Sequence, residues 1–250
     1  MAALLVVAQV VVARLASQMN TNKLSIIIPC LSEEKNIRET LLPLQNLRQR
    51  GHEIILADGG STDNTTNISA NLYDQLITCK KGRAHQMNSG AKLSSNEILC
   101  FLHADTIAPK NLDRLIIETL HKTHKMWGRF NIKLSGKHWL FRIIETSINL
   151  RSCISGIASG DQGIFVYRDV FDQLNGFASI PLMEDIELSK RLKEKSRPAC
   201  ITNTPLITSS RRWEKHGILK TVYLMWRLRL KFFMGVPANQ LENLYRYHDK

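Results

Sequence analysis

Short apolar runs alternate with helix-type patterns through the first half of the chain. The runs that have the length and content of buried strands are Leu24–Ile28, Glu53–Ala57, Gln75–Cys79 and Glu97–His103. Apolar residues at three- and four-residue intervals predict helices within Ile37–Leu47, Asn64–Tyr73 and Arg83–Leu93. Pro43 predicts a kink in the first of these helices. This alternation predicts an α/β fold with a mostly parallel central sheet that is flanked by helices on both faces.

The second half of the chain has a looser and mainly helical pattern. Helices are predicted at Lys110–Thr123, His138–Ser152, Met183–Lys195 and Lys215–Met234, and strands near Arg129–Leu134 and Ile164–Tyr167. No linker rich in Gly, Pro or Ser divides the chain. We therefore expect one domain at residues 23–213, followed at 214–250 by amphipathic helices that pack on it or on a membrane.

Residues 1–22 form an apolar extension before the first predicted strand. Ala2–Ala13 is apolar except for Gln9, and this run is shorter than the roughly 20 apolar residues that a spanning helix needs. Met19 comes just before the strand. One hypothesis is that translation starts at Met19 and that residues 1–18 are not native.

The composition narrows the classes of partner. With 34 basic and 22 acidic residues the net charge is +12, which predicts attraction to phosphorylated substrates, anionic membranes or nucleic acid. Neither a zinc finger, nor an RNA-recognition motif, nor an aromatic run among the basic residues is present, so no nucleic-acid partner is expected. The five scattered cysteines include no Cys-x-x-Cys pair, which favours a reducing, cytoplasmic setting over a disulfide framework.

Polar residues follow three of the predicted strands. They are Ser32–Glu34 after the first strand, Asp58 after the second, and His103–Asp105 after the strand at Glu97–His103. In open α/β sheets, ligands bind at the carboxyl edge of the strands. We therefore expect these three groups to face one crevice.

Two of these groups have an alternative structural interpretation. Asp105 has the oxygen chemistry that Mg²⁺ or Mn²⁺ prefers, but it could also cap the next helix. The turn Asp58-Gly-Gly-Ser-Thr-Asp63 lets the backbone approach a ligand, and Asp58 could accept from a base N–H or a ribose hydroxyl. The same turn could be purely structural, with Asp63 as a helix cap.

Two further segments carry groups suited to ligand binding. Arg83 opens a helix within the basic stretch Lys80–Asn88 and suits a diphosphate, although a basic surface loop is the alternative. Ser159–Gly163 is polar and glycine-rich, suited either to holding sugar or acceptor hydroxyls or to forming a plain turn.

Glu184 and Asp185 lie in the first turn of a predicted helix. Acidic residues there complement the helix dipole, which is the structural alternative. Helical spacing aligns Asp185 with Leu188 and Leu192, and Glu184 with Glu187 and Arg191. We therefore expect Asp185 to point inward as a general base and Glu184 to point toward water.

Taken together, these motifs resemble the inverting glycosyltransferases of family 2, which have the GT-A fold. The resemblance runs from about Lys23 to at least Trp213. The family's opening strand and loop correspond to residues 25–34, and its nucleotide turn corresponds to residues 58–63. Its Asp-x-Asp metal motif corresponds to residues 103–105, and its Glu-Asp base motif corresponds to residues 184–185. Within the family, the segments at 82–84, 102–106 and 211–213 resemble the bacterial radical-SAM/selenodomain-associated transferase subgroup.

The resemblance implies a nucleotide-sugar donor, a divalent cation (Mg²⁺ or Mn²⁺) at Asp105 and an unidentified acceptor. The implied donor-binding residues are Pro29, Leu31, Glu33, Asp58, Ser61, Arg83, His103 and Asp105. The implied acceptor-binding residues are Gly160, Asp161, Gln162, Arg212 and Trp213, and the implied catalytic residues are Asp185 and Glu184.

Two residues depart from the family pattern. His103 stands where the first aspartate of the metal motif is expected, which keeps an inactive nucleotide-sugar-binding protein as an alternative. Ser209 stands where processive members have glutamine, which argues against polymer synthesis. A sugar nucleotidyltransferase is a further alternative, but it should have a glycine-rich loop near the first strand, and residues 29–36 contain no glycine.

The last predicted long helix has an apolar stripe. Leu219, Tyr223, Trp226, Leu230 and Phe233 form it, and Lys220, Arg227 and Lys231 flank it. Such a helix either lies on an anionic membrane or packs on the preceding domain. The membrane interpretation would place the protein at the inner face of the cell membrane and favour a lipid-like acceptor.

Overall fold

The computed structural model describes residues 22–247 of the chain. The hypotheses about Ala2–Ala13 and the start at Met19 lie outside the described residues.

Within residues 22–247, eight strands form one mixed sheet in the order β3-β2-β1-β4-β7-β6-β8-β5. The strands are β1 (Leu24–Cys30), β2 (Glu53–Asp58), β3 (Gln75–Thr78), β4 (Ile98–Phe101), β5 (Thr106–Ile107), β6 (Trp127–Leu134), β7 (Phe165–Tyr167) and β8 (Ala199–Thr208). All pairings among β3, β2, β1 and β4 are parallel, which confirms the predicted α/β fold. Beyond β4 the sheet becomes mixed, because β7 is antiparallel to both β4 and β6.

Helices cover the sheet and extend the chain beyond it. They are α1 (Ile37–Leu41), α2 (Gln45–Gln49), α3 (Thr65–Ser69), α4 (Arg83–Leu93), α5 (Leu112–Thr123), α6 (Trp139–Ser155), α7 (Arg168–Gln173), α8 (Glu184–Lys195), α9 (Arg211–His216), α10 (Ile218–Phe233) and α11 (Ala238–Tyr247). The kink predicted at Pro43 is confirmed, since a 3₁₀ turn at Leu42–Leu44 separates α1 from α2.

Alternate residues of β1 enter two different cores. Ile26 and Ile28 belong to the core on one face of the sheet, and Ile27 belongs to the core on the other. All three side chains are fully buried, which explains the unbroken apolar run at the start of the sequence. On the second face α4 lies very close to β1, because a Cβ at Gly90 would come within 2.5 Å of Ile27 Cγ2. This close approach fixes where the first residue of α4, Arg83, stands relative to the end of β1.

Strand β8 is not predicted by the sequence pattern. Its ten residues mix Thr and Asn with apolar residues and contain Pro205, so neither alternation nor a continuous apolar run marks it. It forms because it pairs in parallel with β6, with a shift in register between Phe130 and Ile132. Long-range pairing therefore decides this element rather than local propensity.

The predicted helix at Lys215–Met234 is divided at Gly217, which has a φ of 87°. The second part, α10, packs inward through Thr221, Leu224 and Leu228. Its predicted apolar stripe faces away from the domain, with exposures of 67% at Tyr223 and 73% at Trp226. No helix among the described residues is long and apolar enough to span a membrane.

Candidate active site

A cavity of about 660 Å³ lies at the carboxyl ends of β1 and β4. The predicted site residues that line it are Pro29, Leu31, Glu33, Arg83, His103, Asp105, Gly160, Asp161, Glu184, Asp185, Arg212 and Trp213. Residues from two predicted strand ends therefore meet in one crevice, as the parallel arrangement requires. The predicted acceptor residues at 160–162, called the acceptor segment below, and the start of α8 lie beside these strand ends only because of the tertiary fold.

Three predicted site residues are not among those that line the cavity. Asp58 is 3% exposed, and its carboxylate accepts from the backbone N–H groups of Gly60 and Ser61 and from the Ser61 hydroxyl. Gln162 is fully buried and closes a capping box with Ser159. Their observed contacts match the turn interpretation of both segments, and ligand contact by these three residues stays a prediction.

Asp105 stands among several charged groups. Its side chain is 25% exposed, and Arg211 lies 4.0 Å from its carboxylate and 3.1 Å from that of Glu33. Burial raises the pKa of Asp105, and repulsion from Asp161 and Glu33 adds to this effect against the opposing influence of His103 and Arg83. Mg²⁺ and Mn²⁺ are commonly held by one or two carboxylates together with substrate phosphates. A carboxylate that is crowded by other carboxylates fits that role, because a cation would relieve the repulsion.

The described residues contain no cluster of three or more His, Cys, Asp or Glu side chains arranged to hold a metal ion.

His103 connects the end of β4 to the predicted acceptor segment. Its Nδ1 lies 3.0 Å from Oδ1 of Asp161. Burial alone would raise the pKa of Asp161, but the hydrogen bond with His103 and the charges of His103, Arg83 and Arg229 together lower it to about 2. A Cβ at Gly160 would come within 2.6 Å of His103 Nε2, so only glycine allows this approach. The residue that departs from the family metal motif thus positions the segment at 160–162.

Asp185 is fixed by two backbone groups. Its Oδ2 accepts from Gly160 N at 2.6 Å, and its Oδ1 accepts from Ile186 N at 2.8 Å. These contacts hold the carboxylate at the edge of the cavity and beside the acceptor segment. The prediction that Asp185 points toward the cleft is confirmed.

The prediction that Glu184 points toward water is wrong. Its side chain lines the cavity and the residue is only 5% exposed. Glu184 lies four residues before Leu188, which is fully buried, so the two share a face of α8. Burial, followed by repulsion from Asp185, raises the pKa of Glu184 to about 7.

Arg83 stands at the first position of α4, next to Gly82 with its φ of 132°. Burial alone would lower the pKa of Arg83. The pKa is nevertheless raised, because the charges of nearby groups outweigh the effect of burial; these groups are Glu184, Tyr245, Asp161 and Asp185. The guanidinium is open to the cavity and has no hydrogen-bond or ion-pair partner among the side chains of residues 22–245. A helix N-terminus with a free guanidinium is suited to a diphosphate.

Several cavity residues were missed by the sequence analysis. They are Gln86, Arg211, Thr221, Met225, Arg229 and Tyr245. A signal existed for Thr221, which is a polar residue on the face of α10 opposite its apolar stripe. Arg212 was predicted, but its partner was not: its guanidinium stacks 3.8 Å from the ring centroid of Tyr245.

Comparison with known proteins gives consistent matches. A family model described as glycosyl transferase family 2 matches residues 25–170. A poly-beta-1,6-N-acetyl-D-glucosamine synthase of Staphylococcus epidermidis is 29% identical over 239 residues, which are 85% of this chain and 54% of that protein. The chain thus spans about half the length of the curated relatives it matches.

Solved structures share the fold at low identity. S. aureus TarS 1–349 in complex with UDP-GlcNAc matches with a TM-score of 0.63 and 18% identity over 75% of this chain and 58% of that one. Glucosyl-3-phosphoglycerate synthase from Mycobacterium tuberculosis, in complex with Mn²⁺, UDP and phosphoglyceric acid, matches with a TM-score of 0.57 and 16% identity over 76% of this chain and 71% of that one.

Proposed function

The chain belongs to glycosyl transferase family 2, and from this membership and the chemistry of the cavity we propose that it transfers a sugar from a nucleoside diphosphate to an acceptor with inversion. The observation that carries the proposal is the convergence of Asp105, Arg83 and Asp185 on one cavity. These three residues supply a cation ligand, a diphosphate partner and a carboxylate base. The similarity at 82–84, 102–106 and 211–213 supports membership of the radical-SAM/selenodomain-associated subgroup.

In this proposal Asp185 accepts the proton of the acceptor hydroxyl. Its two backbone hydrogen bonds, from Gly160 and Ile186, fix its direction. The hydroxyl oxygen then forms the new bond to the anomeric carbon while the bond from that carbon to the diphosphate breaks on the opposite face. General-base assistance of this kind contributes about 10²–10⁴ in rate.

Asp105 is the proposed ligand of the divalent cation, and Arg83 is the proposed partner of the diphosphate. A bound Mg²⁺ or Mn²⁺ would supply charge stabilisation for the leaving diphosphate. Arg83 donates to the same group from the N-terminus of α4, where backbone N–H groups add to the positive potential. Glu33 and Arg211 form an ion pair of 3.1 Å, and Arg211 lies 4.0 Å from Asp105.

The stripe on α10 supports peripheral contact with an anionic membrane at its cytoplasmic face. Its apolar side chains are exposed, and Lys220, Arg227 and Lys231 flank them. This arrangement complements anionic headgroups and an apolar acyl region. A lipid-like acceptor is consistent with that location.

The donor is tested by thermal unfolding with UDP-, GDP- and dTDP-sugars, each with and without Mn²⁺. We expect one donor to raise the melting temperature only when the metal is present. A dissociation constant a hundred times below the ligand concentration adds about 2.7 kcal/mol to the free energy of unfolding. In Asp105→Ala the shift should disappear, because the proposed cation ligand is gone.

Controls separate this proposal from its alternatives. The matched control is Asp172→Ala, which removes an exposed carboxylate far along the chain. No shift with any donor would contradict the proposed activity. Metal-dependent binding without donor hydrolysis or transfer would favour an inactive nucleotide-sugar-binding protein instead.

A further inference from the structure

A cationic group faces the cavity outside the predicted donor, metal and acceptor residues. Arg229 lies on α10 and lines the cavity together with Asp161 and Asp185. The residue is half-buried, and among the side chains described up to residue 245 its guanidinium has no hydrogen-bond or ion-pair partner. A guanidinium carries five N–H donors, and those of Arg229 face the cavity, where an anionic ligand could accept from them. The position of Arg229 therefore requires an explanation beyond packing.

A second guanidinium lies close to the first. Arg151, on α6, donates from Nη1 to the carbonyl of Ile157 at 3.1 Å, just before the predicted acceptor segment. Its Nε and Nη2 atoms are buried and have no partner among the described residues. Burial, followed by the positive charge of Arg229, lowers the pKa of Arg151 to about 10, although the carboxylate of Asp185 opposes part of this effect. Two guanidinium groups that repel each other in this way are stabilised by an anion placed near both.

The wall of the cavity beside Arg229 is partly apolar. Ile148 of α6 and Met225 of α10 line it, and Met225 lies one turn before Arg229. An anionic group bound at Arg229 would therefore have room for an apolar continuation. Neither Arg229 nor Arg151 is needed for the donor diphosphate, which the proposed function assigns to Arg83 and the cation.

We propose that Arg229 binds a phosphate or carboxylate group of the acceptor, and that Arg151 strengthens this subsite from behind the acceptor segment. The inference rests on the proposed function and adds the chemical class of the acceptor, a hydroxyl compound with an anionic group. That group is bound and not transformed. Arg229 is a substrate-binding residue, Arg151 is a positioning residue, and the acceptor hydroxyl faces Asp185.

The test is calorimetric titration of the full chain with saturating UDP and Mg²⁺, so that the donor region is filled. The phosphate probes are glycerol 3-phosphate and hexanoylglycerol 3-phosphate. Their neutral counterparts, titrated separately, are glycerol and hexanoylglycerol. We expect a phosphate probe that binds to have a dissociation constant at least tenfold lower than that of its neutral counterpart. The reason is that a charge-assisted hydrogen bond contributes about a tenfold gain in affinity or more. Binding of both phosphates identifies a soluble acceptor class, and binding of only the acylated one identifies a lipid class.

Variants locate the binding on Arg229. Arg229→Gln should weaken the phosphate probe about 10- to 100-fold, and Arg229→Lys should weaken it less because the charge remains. Arg227→Gln is the matched control, since it removes an exposed arginine on the same helix. Arg151→Lys should leave UDP binding intact. It should weaken binding of the phosphate probe less than Arg229→Gln does, because Arg151 only supports the subsite.

The outcomes separate the subsite from the proposed function. Equal affinity of phosphate and neutral probes, or equal loss in the Arg229 and Arg227 variants, would overturn the subsite. The comparison of probes uses the unmodified chain, so it holds even if Arg229→Gln does not fold. A chain that binds no UDP-sugar but binds phosphate through Arg229 would contradict the proposed function and keep the subsite.

Discussion

At the scale of single residues, the two adjacent carboxylates at the start of α8 have different surroundings. Asp185 is held by the backbone of Gly160 and Ile186, whereas Glu184 is buried and its pKa is raised to about 7. Two neighbouring carboxyl groups whose environments differ in this way commonly divide the tasks of an active site. The structure therefore gives two separate predictions for this pair.

Asp185→Asn should abolish sugar transfer and leave donor binding nearly unchanged. The amide keeps the shape of the side chain but cannot take the acceptor proton, so we expect a loss of about 10²–10⁴ in kcat. The measurement is turnover together with the donor-induced shift in melting temperature. Glu194→Gln, on the exposed face of the same helix, is the matched control. Loss of donor binding with residual turnover would reject Asp185 as the base.

Glu184→Gln should stabilise the protein at pH 8 and change little at pH 5. The folded-state pKa of Glu184 is about 7 against an ordinary value of 4.5, so the folded state binds the proton more tightly than the unfolded chain. Its contribution to stability is present below pH 4.5 and is lost as the pH rises to about 7. The glutamine removes this loss, which is about 3 kcal/mol for a shift of this size.

The measurement for Glu184 is the melting temperature of both proteins across this pH range, with chelator present. Glu194→Gln serves as the control, since Glu194 is an exposed glutamate on the same helix. Parallel curves for the natural chain and Glu184→Gln would show that the carboxyl titrates normally.

At the scale of elements, α10 presents opposite faces to the domain and to solvent. Leu224 and Leu228 pack inward, while Trp226 and Phe233 are 73% and 53% exposed. Helix α6 lies against the beginning of α10 and has an exposed row of its own, in Trp139, Ile143, Leu150 and Ile154. Contiguous exposed apolar side chains of this kind mark interaction surfaces.

Replacing Trp226 and Phe233 by serine should reduce flotation of the protein with anionic phosphatidylglycerol vesicles. The substitutions remove apolar area that would enter the interface while the flanking lysines and arginine remain. Binding of the unmodified chain should also fall with salt and with neutral phosphatidylcholine vesicles, because part of the attraction is electrostatic. Leu42→Ser with Leu93→Ser removes exposed apolar residues elsewhere and is the control. Unchanged flotation after the Trp226 and Phe233 substitutions would exclude the stripe as a membrane contact.

At the scale of the whole molecule, the cavity depends on segments that are far apart in the sequence. Residues after β1 and β4, the acceptor segment, the start of α8 and one face of α10 all line it. Helix α10 reaches the cavity because its inner face joins Ile157, Met183 and Ile186 in one apolar cluster. The C-terminal helices therefore supply part of the wall, including Arg229, as well as the exposed stripe.

The sequence by itself determined the first half of the fold and predicted many of the residues that line the cavity. Local patterns are strong there, because buried parallel strands require continuous apolar runs and their carboxyl ends must meet at one edge. This reasoning was sufficient to bring Glu33, His103 and Asp105 together. It also identified Pro43 as the point where the first helix breaks.

Only the tertiary structure decided the rest. β8 forms through pairing with β6. The burial of Glu184 depends on what packs over the first turn of α8. The outward direction of the α10 stripe depends on which face of the helix meets the domain. In each case the local sequence pattern allowed more than one arrangement. Contacts between residues far apart in the chain selected one of them, and they also placed Arg229 of α10 on the wall of the cavity.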